Sequence, residues 1–518
     1  QKKLWLKKKF VVETSYCIRL GVIPEEFYPE IAANDAQREE WVRLCAIDEI
    51  KGDLTTPGYS VPLTTDFLKR HSTLVIDTHH FSSDFASKLH NAILNGGAII
   101  DATLIHGENF QALNLIKTTY RHGIRCIYVD PPYNTGTDGF SYKDSYQHSS
   151  WMAMIRDRIA ASLPCLHATD GAIFISLDDH EIHNTRHLLN AELGEDNFLA
   201  NIIWHKMDSP KNTAMHFSED HDYLVAYAVS KKHWRPNLLP RSKEMLERYK
   251  NPDNDPRGPW LLSDLAARNF YSEGRYPIKT PSGRIIPGPP AGSYWRISKT
   301  KFEELDKDGR IWWGASGDGR PGIKRFLSEV QDGVVPQTYW NWKDVGSTRN
   351  AKRELAHIMV QSVDDELFIT PKPTKLIERV LRIATNSNST VLDHFAGSGS
   401  TGHAVINLNR EDGGKRKFIL VEQGDYFDTV LLPRLKKVTF TPEWKDGKPK
   451  RLATAEEAER SPRIMKVIRL ESYEDALNNL ELRRTEAQQS LLDSPQAQGA
   501  DGFREQYLLR YMLDVETR

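Results

Sequence analysis

Val391-Leu392-Asp393-His394-Phe395-Ala396-Gly397-Ser398-Gly399-Ser400-Thr401-Gly402 reads as a strand running into a glycine-rich turn and then into a helix over residues 403–408. Such a turn needs glycine because the backbone takes positive φ and because a ligand must approach the main chain closely. Taken alone, the pattern fits an ordinary strand-to-helix turn equally well. The next apolar run, Lys417-Phe418-Ile419-Leu420-Val421-Glu422, ends in an acid. Dinucleotide-type folds set a carboxylate there on ribose hydroxyls; a helix-capping or solvated glutamate is the other reading. No lysine follows the glycines as in a phosphate-binding P-loop. An uncharged glycine turn with an acid one strand later suits a nucleoside without phosphates. The candidate cofactor residues are Asp393, Phe395, Ala396, Gly397, Ser398, Gly399 and Glu422.

A second strand end carries chemistry. Asp130-Pro131-Pro132-Tyr133 directly follows Ile127-Tyr128-Val129. Exocyclic amines such as adenine N6 and cytosine N4 are poor nucleophiles because the lone pair is delocalised into the ring. Two acceptors on the amino hydrogens draw the nitrogen towards tetrahedral geometry and localise that pair. The Asp130 carboxylate and the Pro131 carbonyl can do this, since proline fixes φ and brings no competing N–H. Tyr133 would stack on the base, which must swing out of the duplex to be reached. The alternative is a proline-rich turn closed by Asn134-Thr135-Gly136, with Tyr133 simply packing. Both loops fall at carboxyl ends of parallel-looking strands, where open α/β sheets bind ligands. Together they read as an α/β, Rossmann-like methyltransferase that takes S-adenosylmethionine and acts on an exocyclic amine of DNA. Asp130, Pro131, Pro132 and Tyr133 are the catalytic candidates. The sulfonium methyl is already activated, so no metal is expected.

At 518 residues the chain exceeds one small core and suggests roughly three domains. Lys plus Arg number 69 and Asp plus Glu 70, a net charge of -1 that neither advertises nor excludes a nucleic-acid partner. The 4 cysteines show no Cys-x-x-Cys pair, so a zinc site is not expected. With no apolar run long enough to span a bilayer and no secretory leader, a cytoplasmic setting is expected. The chain opens on Gln1, with a basic Lys7-Lys8-Lys9, and is expected to be a fragment of something larger.

Five segments follow. Residues 1–100 form an N-terminal helical or mixed region, with an Asn-capped helix over 34–44. Residues 101–230 alternate strand candidates (102–105, 125–129, 172–176, 223–228) with helix candidates (110–120, 150–166) and form the catalytic half. Residues 231–365 are rich in turns and tryptophan and read as an insertion. Residues 366–440 return to α/β with strands at 390–393 and 418–422 and form the cofactor half. Residues 441–518 read as a charged C-terminal helical region, a possible partner contact, with a helix near 473–480.

Asp130-Pro131-Pro132-Tyr133-Asn134-Thr135-Gly136 preceding Phe395-Ala396-Gly397-Ser398-Gly399 resembles the β class of DNA amino-methyltransferases, whose catalytic half precedes the cofactor half. More closely, the chain resembles modification (Mod) subunits of Type III restriction-modification systems. The match extends through Phe10-Val11-Val12-Glu13-Thr14, Ile31 to Glu39, His106 to Leu113, Ile175 to Glu181 and Thr370-Pro371-Lys372-Pro373. The resemblance implies a seven-stranded, mostly parallel sheet with one antiparallel edge strand, in permuted order, with an inserted target-recognition domain at 231–365. It implies cofactor contacts from Glu108 and Asn109 and from the loop around Lys372 and Pro373. Many relatives carry Asp where Glu108 stands, and Lys372 reads equally as helix-entry solvation. In the inserted segment Arg257, Arg284, Arg296, Lys324 and Arg325 are candidates for DNA contact, or for solvated surface around a tryptophan core.

The implied activity is adenine-N6 methylation of double-stranded DNA after base flipping. The protein would be the modification and specificity subunit of a restriction-modification or related phage-defence system. A homodimer and a separate restriction (helicase-nuclease) subunit are the implied protein partners. Cytosine-N4 methylation and a non-catalytic specificity subunit of a nuclease or helicase complex are the alternatives. Asp rather than Ser at position 130 favours adenine by resemblance.

Overall fold

The computed structural model describes residues 10–52, 57–95, 97, 99–135, 147–359 and 370–472. Lys7-Lys8-Lys9, Gly136 and the helix expected near 473–480 lie outside them. The chain divides into two compact units, one of Gln1–Asn237 with Gln337–Arg518 and one of Leu238–Pro336.

The larger unit is built on an 11-stranded sheet. In chain order its strands are β1 (Val11–Arg19), β2 (Val75–Asp77), β3 (Ala102–His106), β4 (Ile124–Val129), β5 (Ala172–Leu177), β6 (Phe198–His205), β7 (His221–Ala228), β8 (Tyr339–Trp340), β9 (Thr390–Asp393), β10 (Lys417–Glu422) and β11 (Ile464–Leu470). They lie side by side in the order β8-β6-β7-β5-β4-β9-β10-β3-β11-β1-β2. The six strands from β5 to β11 are mutually parallel. Their interiors are almost continuously buried, as strands covered on both faces require. β7 runs antiparallel between β5 and β6. The sheet is therefore Rossmann-like and mostly parallel, and its permuted order puts β4 of the earlier half against β9 of the later half.

Two expectations are corrected. The sheet has 11 strands rather than seven, and antiparallel β7 is interior because β6 and β8 extend the sheet beyond it. Residues 1–100, read as helical or mixed, supply helices together with β1 and β2, which lie at the far end of the same sheet. The region after 441 was expected to be helical, yet β11 pairs with β3 on one side and β1 on the other. Its buried positions, Ile464, Met465, Val467, Ile468 and Leu470, fall at helix-compatible spacings. A short run covered on both faces cannot be told from a helix by periodicity.

The local helix readings match. Asn34 caps the helix Asp35–Cys45, its side chain accepting from the Gln37 amide at 2.8 Å. The helices expected over 110–120 and 150–166 appear as Asn109–Ile116 and His148–Ser162. Among the described residues no helix is long and apolar enough to cross a membrane, and no His/Cys/Asp/Glu group could hold a metal ion.

The smaller unit contains a three-stranded antiparallel sheet of Trp260–Asp264, Gly322–Phe326 and Ile311–Trp312, and one longer helix, Lys299–Lys307. Its core gathers Leu265, Tyr276, Ile278, Trp295, Phe302, Ile311 and Trp313. Trp260, Trp295 and Trp313 are thus interior. Arg257 pairs with Asp255 and Asp308, Arg284 with Asp318, and buried Lys324 with Asp253 and Asp255. Arg296 and Arg325 are exposed and form no ion pair with another described residue.

Candidate active site

β4 and β9 are neighbouring parallel strands, with Cys126 opposite Val391 and Ile127 opposite Leu392. The loops that follow them leave the same edge of the sheet, side by side. This is the point where the strand order reverses direction, the usual crevice for ligands in open α/β sheets. A cavity of about 450 Å³ opens there, within the range of small-molecule sites. Asp130, Pro131, Tyr133, Lys372, Phe395 and Gly397 all line it.

The loop after β4 points its polar groups inward. Lys372 Nζ donates to both carboxylate oxygens of Asp130, at 2.7 and 2.8 Å. The Tyr133 hydroxyl donates to Asp130 Oδ1 at 3.2 Å, and the Lys372 ammonium lies 4.8 Å from the centre of the Tyr133 ring. Burial pushes the Asp130 carboxyl above the usual carboxylate range, and the Lys372 ammonium opposes that shift. The two prolines divide their carbonyls. Pro132 accepts from Trp151 Nε1 at 2.8 Å and does not line the cavity, whereas Pro131 does. The loop is held open by Asn134, at φ 64, whose amide group donates to Glu181 Oε1 at 2.8 Å. Glu181 is wholly buried and also holds His148 (2.7 Å) and Asn184 (2.7 Å).

The loop after β9 is rigid for different reasons. Gly397 and Gly399 have φ of 53 and 78, the left-handed region that other residues avoid. Gly402 lets the following helix press onto the sheet, since a Cβ there would meet Leu435 at 2.9 Å and Leu420 at 3.0 Å. Asp393 accepts from the Phe395 amide at 3.0 Å and from the Thr401 hydroxyl at 2.5 Å. Burial raises its carboxyl to about 7, and the charges of Asp130 and Glu422 add to the rise. Behind the loop, wholly buried Arg434 donates to Ser398 Oγ and Ser400 Oγ, both at 3.0 Å.

Several expected cofactor residues stand off the cavity wall. Glu422 accepts from the amides of Gly397 (2.8 Å), Gln423 (2.8 Å) and Gly424 (3.0 Å), so its carboxylate shapes the glycine turn. Gly399 caps the helix Ser400–Asp412. Glu108 caps the helix Asn109–Ile116 and pairs with Arg158. Asn109 accepts from Arg158 and donates to the His394 carbonyl at 3.0 Å. Pro373 packs beside Gly346, where a Cβ would meet its ring at 2.8 Å. Conversely, the cavity holds residues that sequence reasoning passed over. Asp222 of β7 is buried and paired with Lys206 at 2.6 Å, and Thr401 and Trp204 also line the wall. Asp222 stands just ahead of the apolar run at 223–228, next to Glu219, Asp220 and His221, so residue order does not single it out. Its lysine partner appears only once β6 and β7 are paired.

The fold and the paired loops define an open, mostly parallel α/β sheet with a ligand crevice at its switch point, and sequence comparison supplies the family. The N6_N4 DNA methylase family model matches residues 124–430, more than half of the chain, and the chain belongs to that family. It is 29% identical over 424 residues to the Type III restriction-modification enzyme StyLTI Mod subunit of Salmonella typhimurium, covering 74% of this chain and 60% of that one. It is 27% identical over 389 residues to the EcoPI Mod subunit of Escherichia phage P1, covering 62% and 57%. The chain thus spans about 60% of the length of these relatives. Among solved structures, the PvuII DNA methyltransferase (cytosine-N4-specific) aligns over 66% of this chain and 89% of its own at 12% identity, with a TM-score of 0.33.

Proposed function

We propose that this chain transfers a methyl group from S-adenosylmethionine to adenine N6 of double-stranded DNA, as the modification and specificity part of a restriction-modification system. The observation that carries the reading is the convergence of Asp130, Pro131 and Tyr133 with Phe395 and Gly397 on one cavity. The left-handed glycines keep side chains out of the turn where a nucleoside would lie against the backbone. Phe395, Ala396, Gly397 and Ser398 would line that site, with Asp393 at its floor and Glu422 holding the turn from behind. When bound, the cofactor supplies an electrophilic methyl on sulfur. Asp130 and the Pro131 carbonyl accept the two amino hydrogens and Tyr133 stacks on the ring. As nitrogen gains methyl it loses one proton, for which Asp130 is the nearest acceptor. Lys372 belongs to this side of the reaction, as the cation that keeps the buried Asp130 ionised.

The 231–365 segment, with its compact unit at 238–336, is the proposed target-recognition domain. There Arg296 and Arg325 are the exposed, unpaired candidates for DNA contact. A homodimer, a separate helicase-nuclease subunit and a cytoplasmic setting complete the proposal. Cys17, Cys45, Cys126 and Cys165 are buried and unpaired, which suits a reducing compartment. Sequencing of modified bases in DNA from cells expressing the chain tests the methyl-transfer reading. The expected result is N6-methyladenine at one short asymmetric motif, absent with Asp130→Ala. N4-methylcytosine would move the assignment to the other amine, and unmodified DNA would overturn it.

A further inference from the structure

Between β6 and β7 the chain leaves the sheet at His205 and returns at His221. The neck of this excursion is tied. The Lys206 amide donates to the Asp220 carbonyl at 2.9 Å, and the Lys211 amide donates to Ser218 Oγ at 2.8 Å. Lys206, Met207, Lys211 and Glu219 line the Asp130 cavity, so the loop forms part of its rim. Beyond the neck, Met215 and Phe217 are each 90% exposed. A single apolar side chain in water is unremarkable in a folded protein. Two large ones within three residues, on a tied loop at the mouth of the catalytic cavity, need an occupant that is itself apolar and stacked.

We propose that Met215 and Phe217 form a wedge that enters the base stack of duplex DNA when the target nucleotide turns into the cavity. The inference rests on the base-flipping reading above. Extruding a base costs stacking and pairing, and apolar side chains inserted at the step offset that cost. Met adapts its shape to an irregular gap and Phe offers a flat face to the neighbouring base. Lys211 at the neck is placed for the adjoining phosphates. The wedge would act only on opening the duplex, not on the methyl transfer that follows.

The test compares single-turnover methylation of two duplexes carrying the site found by methylation sequencing. In one the target base faces its normal partner; in the other it faces an abasic gap, which makes extrusion cheap. The double variant Met215→Ser/Phe217→Ser is expected to methylate the paired duplex about tenfold or more slowly, and the gapped duplex within about threefold of the wild-type rate. Phe217→Leu should keep most of the paired-duplex rate. Equal loss on both duplexes, or no loss on either, overturns the wedge. Wild-type protein that methylates neither duplex overturns the flipping reading itself.

Discussion

The loops after β4 and β9 start from adjacent strands and face one cavity, yet they are held in opposite ways. In the glycine loop the carboxylates and the serine hydroxyls are bonded internally, while buried His394 leaves both ring nitrogens without a hydrogen bond to any described residue. Glu422 takes three backbone amides, Asp393 takes an amide and a hydroxyl, and Arg434 is buried behind Ser398 and Ser400. In the Asp130 loop the carboxylate is held by two side chains, Lys372 and Tyr133, that reach in from the cavity wall. A charge that must stay available to a substrate is better balanced by a side chain that can shift than by fixed backbone donors. One loop defines a shape, and the other keeps a charge ready.

The largest effect should come from breaking the second loop. Asp130→Ala is expected to lower methyl transfer by about a thousandfold or more while leaving S-adenosylmethionine affinity within a few-fold. Labelled-methyl transfer and calorimetry read the two quantities separately, and near wild-type turnover would remove Asp130 from the chemistry. Breaking the first loop should do the reverse. Gly397→Val, at a φ of 53, should lose cofactor binding by calorimetry, and retained binding would contradict the role of that turn.

Lys372→Met sharpens the contrast through pH. Activity requires ionised Asp130, so the rate rises with pH through its titration. Tyr133 in its own loop, Tyr128 on β4, Asp222 on β7 and Asp393 on β9 also face this carboxyl, Asp178 after β5 lines the same cavity, and Lys372 is the cation bonded to it. Removing that cation should move the acid limb of the rate profile upward, so that the loss is largest on the acid side and recovers in alkali. Lys372→Arg should restore the profile. A loss equal at all pH values, accompanied by weaker cofactor binding, would return Lys372 to the cofactor.

The smallest effect concerns stability at Asp393. Its folded carboxyl is raised to about 7, so the folded state holds the proton more tightly than the unfolded chain. Stability from this group is complete below the unfolded value near 4 and declines as pH rises through 7. Asp393→Asn cannot titrate. Relative to the variant, wild-type protein should lose roughly 1–3 kcal/mol between pH 5 and pH 8, read from urea midpoints. Parallel pH curves would show that Asp393 is ionised throughout.

The readable parts were those whose cause is local. A strand closed by Asp-Pro-Pro-Tyr and a strand closed by a glycine turn carry their own geometry, and both were placed at strand ends from residue order alone. Contacts between distant segments stayed hidden. Lys372 and Asp130 are 242 residues apart, and the lysine's alternatives, solvation or cofactor contact, look the same in sequence. Glu108 and Asn109 are cofactor contacts by resemblance, and residue order does not show their bonds to Arg158, on a helix some fifty residues later.

Residue order therefore determined the chemistry on offer: a rigid acceptor pair beside an aromatic ring, and a turn that only glycine can make. Tertiary structure decided which groups meet. It placed β4 against β9, put Lys372 on Asp130, and set residues 464–470 as the strand between β3 and β1. Strand pairing is a contest among distant segments for the same hydrogen-bonding edge, and no single segment contains its outcome.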